Sequence, residues 1–191
     1  GKSSAGVDQN QMLAAIRYGA DKVFRGDGAT ITDDDIDAII NRGKEKTAAM
    51  KKVLEEKIPI VGVCVGMQMM ATSSEEGNLF GLNWIPGKVR AFKNIKNLDL
   101  PLPHMGWNTL NPSAKSGLFK HGFESSAEFY FLHSFYFDAD EKEDVSAKAF
   151  YGVEFEAAVS RGHIHGVQCH PEKSHHWGES LIKNFSLIDI C

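Results

Sequence analysis

The chain has 191 residues, 42% of them apolar and 24% charged, with a net charge of −4 and an isoelectric point near 6.1. That length supports one well-buried core, and the mild acidity leaves no overall electrostatic footprint for nucleic acid. No apolar run is long enough to cross a bilayer and no leader-like start is present, so a soluble chain without membrane association is expected.

The predicted elements fall into two parts. Met12 to Tyr18 spaces its apolar groups as a helix does and stops at Gly19, a natural C-cap. Thr32 is placed to cap a second helix, with Asp33, Asp34 and Asp35 at the positive dipole end, Ile36, Ile39 and Ile40 in one stripe, and Gly43 just past the end. Residues 44–56 predict a third, highly charged helical stretch. Residues 1–50 therefore read as a helical segment and residues 51–191 as an α/β domain.

From Ile58 onward, short apolar runs alternate with turns. Ile58 to Val63 predicts a buried strand, Gln68 to Thr72 the continuation of a helix, and Val89 to Phe92 an alternating strand. Phe129 to Phe137 is a strongly β-forming run. Ala157 to Val159 and Ile164 to Cys169 suggest a hairpin around Ser160-Arg161-Gly162, and Leu181 to Ile188 a closing helix.

Gly62-Val63-Cys64-Val65-Gly66 follows the first of these strands, which fits a strand-to-helix elbow. Glycines on either side would relieve the crowding of a sharp turn and leave the thiol exposed. The helix that follows would lower the Cys64 pKa, and the backbone N–H of Val65 is the simplest oxyanion donor. About a hundred residues later comes Gln168-Cys169-His170-Pro171-Glu172. On a strand, His170 and Glu172 would share a face, so Glu172 could orient the imidazole; Cys169 would then point into the core. Cys64, Cys169 and Cys191 form no Cys-x-x-Cys pair, which favours a reducing, cytoplasmic setting. His163, His165, His175 and His176 lack the spacing of a structural zinc site, and no metal is expected.

Six separated motifs carry a family resemblance: Gly62-Val63-Cys64-Val65-Gly66-Met67-Gln68, Ser74-Glu75-Glu76-Gly77, residues 81–87, Pro103-His104-Met105-Gly106-Trp107-Asn108, residues 130–135 and His170-Pro171-Glu172-Lys173-Ser174. Together they resemble the glutaminase subunit of imidazole glycerol phosphate synthase, a class I, triad-type glutamine amidotransferase. The resemblance implies an α/β, flavodoxin-like three-layer sandwich, here without the family's usual N-terminal strands and preceded by a short helical segment. It implies Cys64 as nucleophile, His170 as base and acid, and Glu172 as orienter, hydrolysing glutamine to glutamate and ammonia with no cofactor. Val65, Gln68, Glu76, His133, Ser134 and Phe135 would line the glutamine pocket. Ammonia would pass to a (β/α)₈ synthase (cyclase) partner, toward which Trp107, Asn108, Tyr130 and Lys173 would lie. Residues 151–155 and 174–178 look more like a paralogous branch that serves amidino sugars of surface polysaccharides. The acceptor stays open between that pathway and histidine biosynthesis.

Residues 7–50 show none of those motifs and resemble the segment after the second helicase lobe of ISWI-type chromatin remodellers, a connecting stretch without catalytic residues. The chain has no phosphate-binding Gly-x-x-x-x-Gly-Lys-Ser/Thr loop, so remodelling activity does not follow. A nucleic acid or nucleosome partner is implied only if this segment is a genuine module. The join near Met50 suggests a chimera or fusion, and the alternative reading is a catalytically dead one whose N-terminal helices serve only for binding or linking. In the amidotransferases a Pro-Gly-Val-Gly turn before the elbow donates a second N–H to the oxyanion; here Asn41-Arg42-Gly43-Lys44 offers only Gly43 as a loose substitute. Losing one such donor costs about 2.7 to 4 kcal/mol of transition-state stabilisation.

Overall fold

The computed structural model describes residues 48, 50–113, 116–123 and 126–188. The chain divides into two units, Gly1–Ile58 and Pro59–Cys191. In the first, residues 50–55 are helical. Lys51 pairs with Glu55 and Lys52 with Glu56 one turn apart on its exposed side. The predicted helices at Met12–Tyr18 and Thr32–Ile40, the Gly43 turn and Cys191 lie outside the described residues.

The second unit is built on a nine-stranded mixed sheet. Its elements are β1 (Ile60–Val63), α1 (Val65–Gln68), β2 (Ser73–Ser74), β3 (Gly87–Ala91), β4 (His104–Pro112), β5 (Ala127–His133), β6 (Phe135–Ala139), β7 (Val145–Tyr151), β8 (Val153–Arg161), β9 (Ile164–Val167) and α2 (His175–Ser186). Strands run in the order β2-β3-β6-β8-β7-β4-β5, and β9 joins β8 to β1. The β1/β9 and β2/β3 pairs are parallel and the others antiparallel.

Side-chain alternation explains how this sheet finds its core. Along β5, Ala127, Phe129, Phe131 and His133 are buried while Glu128 and Leu132 face out. The inward set packs with Phe92, Leu110, Phe155 and Leu181 of α2. A second cluster gathers Met67, Met70, Ile85, Val89, Phe137, Val159 and Ile164 around the segment that follows α1.

Several boundaries differ from the sequence reading. The helix after the elbow ends at Gln68 rather than running to Thr72. The carbonyls of Met69, Met70 and Ala71 are taken by the backbone N–H groups of Leu82, Trp84 and Asn83, so tertiary bonds replace the next helical turn. The aromatic run from Phe129 to Phe137 is two strands, broken where the Ser134 carbonyl accepts the Phe92 N–H at 3.1 Å. The β8–β9 hairpin turns at Gly162 and His163, between the paired Arg161 and Ile164, with Gly162 at φ +60. The last helix starts at His175, one turn and more before Leu181. Among the described residues no helix is long and apolar enough to cross a membrane.

Candidate active site

The elbow is set by the sheet. Val63 of β1 is paired with Val167 of β9, and the Cys64 N–H continues the ladder to the Val167 carbonyl at 2.8 Å. The chain then reverses, leaving Cys64 at φ 52, ψ −110, a conformation that side chains with a Cβ rarely adopt. Its carbonyl accepts the N–H groups of Met67 and Gln68 at 3.1 and 3.2 Å, which fixes the bend. A Cβ on Gly62 would lie 2.6 Å from the Gly66 backbone, so the turn requires glycine there. Gly66 has open space around its missing Cβ. Contrary to the sequence expectation, only the first of the two glycines relieves crowding.

Burial pushes the Cys64 thiol above its ordinary value. A hydrogen bond from the Val65 N–H and one from Gln168 oppose that rise, while the charges of Glu172 and Glu76 add to it. The expected net lowering does not result: the Val65 N–H at the start of α1 lowers the pKa, but burial and the charges of Glu172 and Glu76 outweigh it. Gln168 Nε2 donates to the sulfur at 3.6 Å, and the thiol points toward the Leu132 carbonyl at 3.8 Å.

His170 and Glu172 are paired by a different geometry from the one predicted. His170 is the extended residue heading a short 3-10 turn, Pro171–Lys173, and the turn carries Glu172 back so that its Oε1 lies 2.7 Å from His170 Nδ1. Burial favours the neutral Glu172 carboxyl, but the His170 bond, its own N–H and the charges of His170 and Lys173 outweigh it and hold the pKa below the usual value. His170 Nε2 is buried with no hydrogen-bond partner among the described residues. The His170 N–H donates to the Tyr130 carbonyl at 2.8 Å. Cys64 and His170 thus abut the same strand, β5, at the carbonyls of Leu132 and Tyr130.

The other predicted site residues separate into groups. Gln68 Nε2 donates to Gln168 Oε1 at 2.9 Å and to the Phe135 carbonyl at 3.2 Å, so Gln68 and Phe135 belong to the polar lining beside the thiol. Glu76 is exposed, its N–H held by Ser74 Oγ, and its charge reaches Cys64. Ser134 is partly exposed next to Phe135. The His133 ring, by contrast, is turned into the core, with both nitrogens engaged by Phe135 O and His104. No ring nitrogen is left for a ligand, because β5 alternates and His133 falls on its buried face. Trp107, Tyr130 and Lys173 form one surface cluster: Trp107 meets Tyr130 edge to face and Lys173 lies over the Tyr130 ring. Asn108 does not join them. Adjacent residues on β4 point to opposite faces, and Asn108 bonds inward to His104 and the Phe150 carbonyl.

Comparison with known proteins places this geometry. The family model for glutamine amidotransferase class-I matches residues 33–188. The chain belongs to the class-I glutamine amidotransferases. It is 52% identical to the imidazole glycerol phosphate synthase subunit HisH of Bdellovibrio bacteriovorus over 147 residues, 74% of this chain and 72% of that one. To HisH of Nitrosomonas europaea it is 34% identical over 195 residues, 96% of this chain and 86% of the relative. A crystal structure of a glutamine amidotransferase shares the fold at a TM-score of 0.53 and 14% identity, covering 78% of this chain and 72% of that one. The matched range begins at residue 33 and so reaches into the segment before residue 51, where the sequence motifs alone show no amidotransferase signal.

Within this amidotransferase fold, two neighbours of the site have no role in the sequence reading, although both stand in its motifs. Gln168 precedes His170 by two positions, the spacing of one strand face, which is the signal that could have found it. Ser174 is buried; its hydroxyl donates to the His170 carbonyl at 2.7 Å and accepts the Tyr130 N–H at 3.0 Å. Ser174 also precedes α2, but its hydroxyl makes no cap bond there. A groove of about 900 Å³ is lined by Val63, which precedes Cys64, by Pro171 and Glu172 of the turn, and by Ile182 and Lys183 of α2.

Proposed function

We propose that the chain is the glutaminase component of an imidazole glycerol phosphate synthase, hydrolysing L-glutamine to glutamate and ammonia in histidine biosynthesis. The HisH relatives support the pathway, and one geometric observation carries the chemistry: an imidazole bound to a carboxylate at 2.7 Å, its other nitrogen buried and without a partner among the described residues, abutting the same strand, β5, as the elbow thiol.

In this reading Cys64 gives its proton to His170 Nε2 as the sulfur attacks the side-chain amide carbon of glutamine. Glu172 accepts the Nδ1–H and stabilises the imidazolium. The carbonyl oxygen becomes an oxyanion beside the Val65 N–H. His170 returns the proton to the departing nitrogen, the C–N bond breaks, and ammonia leaves a γ-glutamyl thioester on Cys64. His170 then takes a proton from water, the hydroxide adds to the thioester carbon, the C–S bond breaks, and glutamate leaves with the thiol restored. The raised Cys64 pKa fits a thiol that stays protonated until a base is aligned with it. Gln68, Phe135, Ser134 and Glu76 would receive the amino-acid end of the substrate. The HisH names support a synthase partner; we assign it to the exposed Trp107, Tyr130 and Lys173 cluster and the ammonia to its reaction.

The test is labelling with a diazo-ketone analogue of glutamine. Mass spectrometry should place one adduct on Cys64, and Cys64→Ser should abolish it. Equal labelling of both proteins would refute the nucleophile assignment.

A further inference from the structure

Behind the thiol site a line of polar groups, buried at His133 and His104 and half-buried at Asn108, crosses from β6 to β4. His133 Nδ1 lies 2.7 Å from the Phe135 carbonyl, His133 Nε2 lies 2.8 Å from His104 Nδ1, and His104 Nε2 lies 3.1 Å from Asn108 Nδ2. The Asn108 amide nitrogen also reaches the Phe150 carbonyl at 2.9 Å, and its oxygen accepts the Thr109 N–H at 2.8 Å.

Chemistry allows only one placing of the protons along neutral rings. A carbonyl only accepts, so His133 Nδ1 carries hydrogen and His133 Nε2 must accept. His104 Nδ1 is then the donor, and His104 Nε2 accepts from Asn108. The two amide hydrogens of Asn108 serve His104 and Phe150. Burial depresses both rings, to about 3 for His133 and about 4 for His104, so both are neutral at pH 7.

The line ends on the group that organises the site. The Phe135 carbonyl accepts from His133 on one side and from Gln68 Nε2 on the other; Gln68 donates its second hydrogen to Gln168, and Gln168 donates to the Cys64 sulfur. Each hydrogen in this series has one acceptor, and reversing either imidazole would set donor against donor or acceptor against acceptor.

We propose that His104 and Asn108 are positioning residues for the glutamine site: by fixing His133 as its Nδ1–H tautomer they hold the Phe135 carbonyl, and through it Gln68 and Gln168, against Cys64. Their role in turnover rests on the glutaminase reading above, whereas the tautomers do not.

Nitrogen-15 NMR of the full chain, labelled in histidine, reads the tautomers directly at pH 7. Both His104 and His133 should be Nδ1–H; an Nε2–H form of either would overturn the proposal. A pair of variants then tests the function. His104→Phe keeps an aromatic ring against Phe131 and Tyr151 but can neither donate nor accept. His104→Gln can donate to His133 and accept from Asn108, preserving the sense of the chain. Labelling by the diazo-ketone analogue, divided by the alkylation rate with iodoacetamide, should fall about tenfold in His104→Phe and stay within about twofold in His104→Gln. A phenylalanine variant that matches wild type, or two variants that fall equally, would overturn the positioning role. Wild-type chain that the analogue fails to label, with the tautomers as assigned, would instead refute the glutaminase reading and the positioning role with it.

Discussion

Ser174 Oγ donates to the carbonyl of His170 at 2.7 Å while accepting the N–H of Tyr130, so one buried hydroxyl ties the turn bearing His170 to strand β5. Ser174→Ala would strand both backbone groups without offering water access. We expect a loss of about 1–3 kcal/mol in urea unfolding and a drop in analogue labelling at Cys64. Ser174→Thr, which keeps the hydroxyl, should recover part of both.

Gly178 of α2 packs directly on the same turn. A Cβ there would lie 1.9 Å from the Pro171 carbonyl oxygen, a contact with backbone that cannot swing aside as a flexible side chain can. Gly178→Ala should therefore cost about 1–3 kcal/mol through overpacking, despite alanine's better helix propensity. Chemical denaturation checks this, and a more stable variant would contradict the packing.

Cys64 occupies a positive-φ elbow where glycine would fit without strain. Cys64→Gly should unfold at higher denaturant concentration, by about 1 kcal/mol, while losing all analogue labelling. Equal or lower stability would mean that the elbow stores no strain.

The charge of Glu172 is one cause of the raised Cys64 pKa, yet Glu172 is also the partner of His170. The two roles separate in Glu172→Gln. Alkylation by iodoacetamide, which needs only thiolate, should shift to lower pH in the variant, whereas labelling by the glutamine analogue should fall about 10- to 100-fold as the base loses its orienter. Parallel changes of the two reagents would refute the separation.

Buried histidines predict the acid behaviour. His104, His133 and His165 are depressed to about 4, 3 and 4 by burial, so between pH 6.5 and about 4 the unfolded chain binds their protons and the native chain does not. Their contribution to stability is complete above pH 6.5 and is lost as pH falls. Glu156 opposes them: burial raises it to about 7, so the native state holds its proton and loses stability as pH rises through that value. Near pH 5.5 these four groups give a net uptake of about two protons on unfolding, read from the slope of unfolding free energy against pH. A slope of the opposite sign there, left by Glu156 alone, would show that the rings are protonated in the native fold.

Local chemistry was legible in the residues: β-branched and glycine positions around Cys64 announced an elbow, alternation from Val89 announced a strand, and the spacing of His170 and Glu172 announced a pair. Such signals survive in sequence because they depend on neighbours a few positions apart. What tertiary structure decided depends on groups brought together across the fold. Burial and two carboxylates set the Cys64 pKa upward against the influence of a four-residue helix. Backbone bonds from residues 82–84 ended α1, a bond to Phe92 broke the aromatic run at Ser134, and the two faces of β4 parted Asn108 from Trp107. Apart from the alternation on β4, these outcomes turn on partners distant in the chain, which no local pattern of side chains can specify.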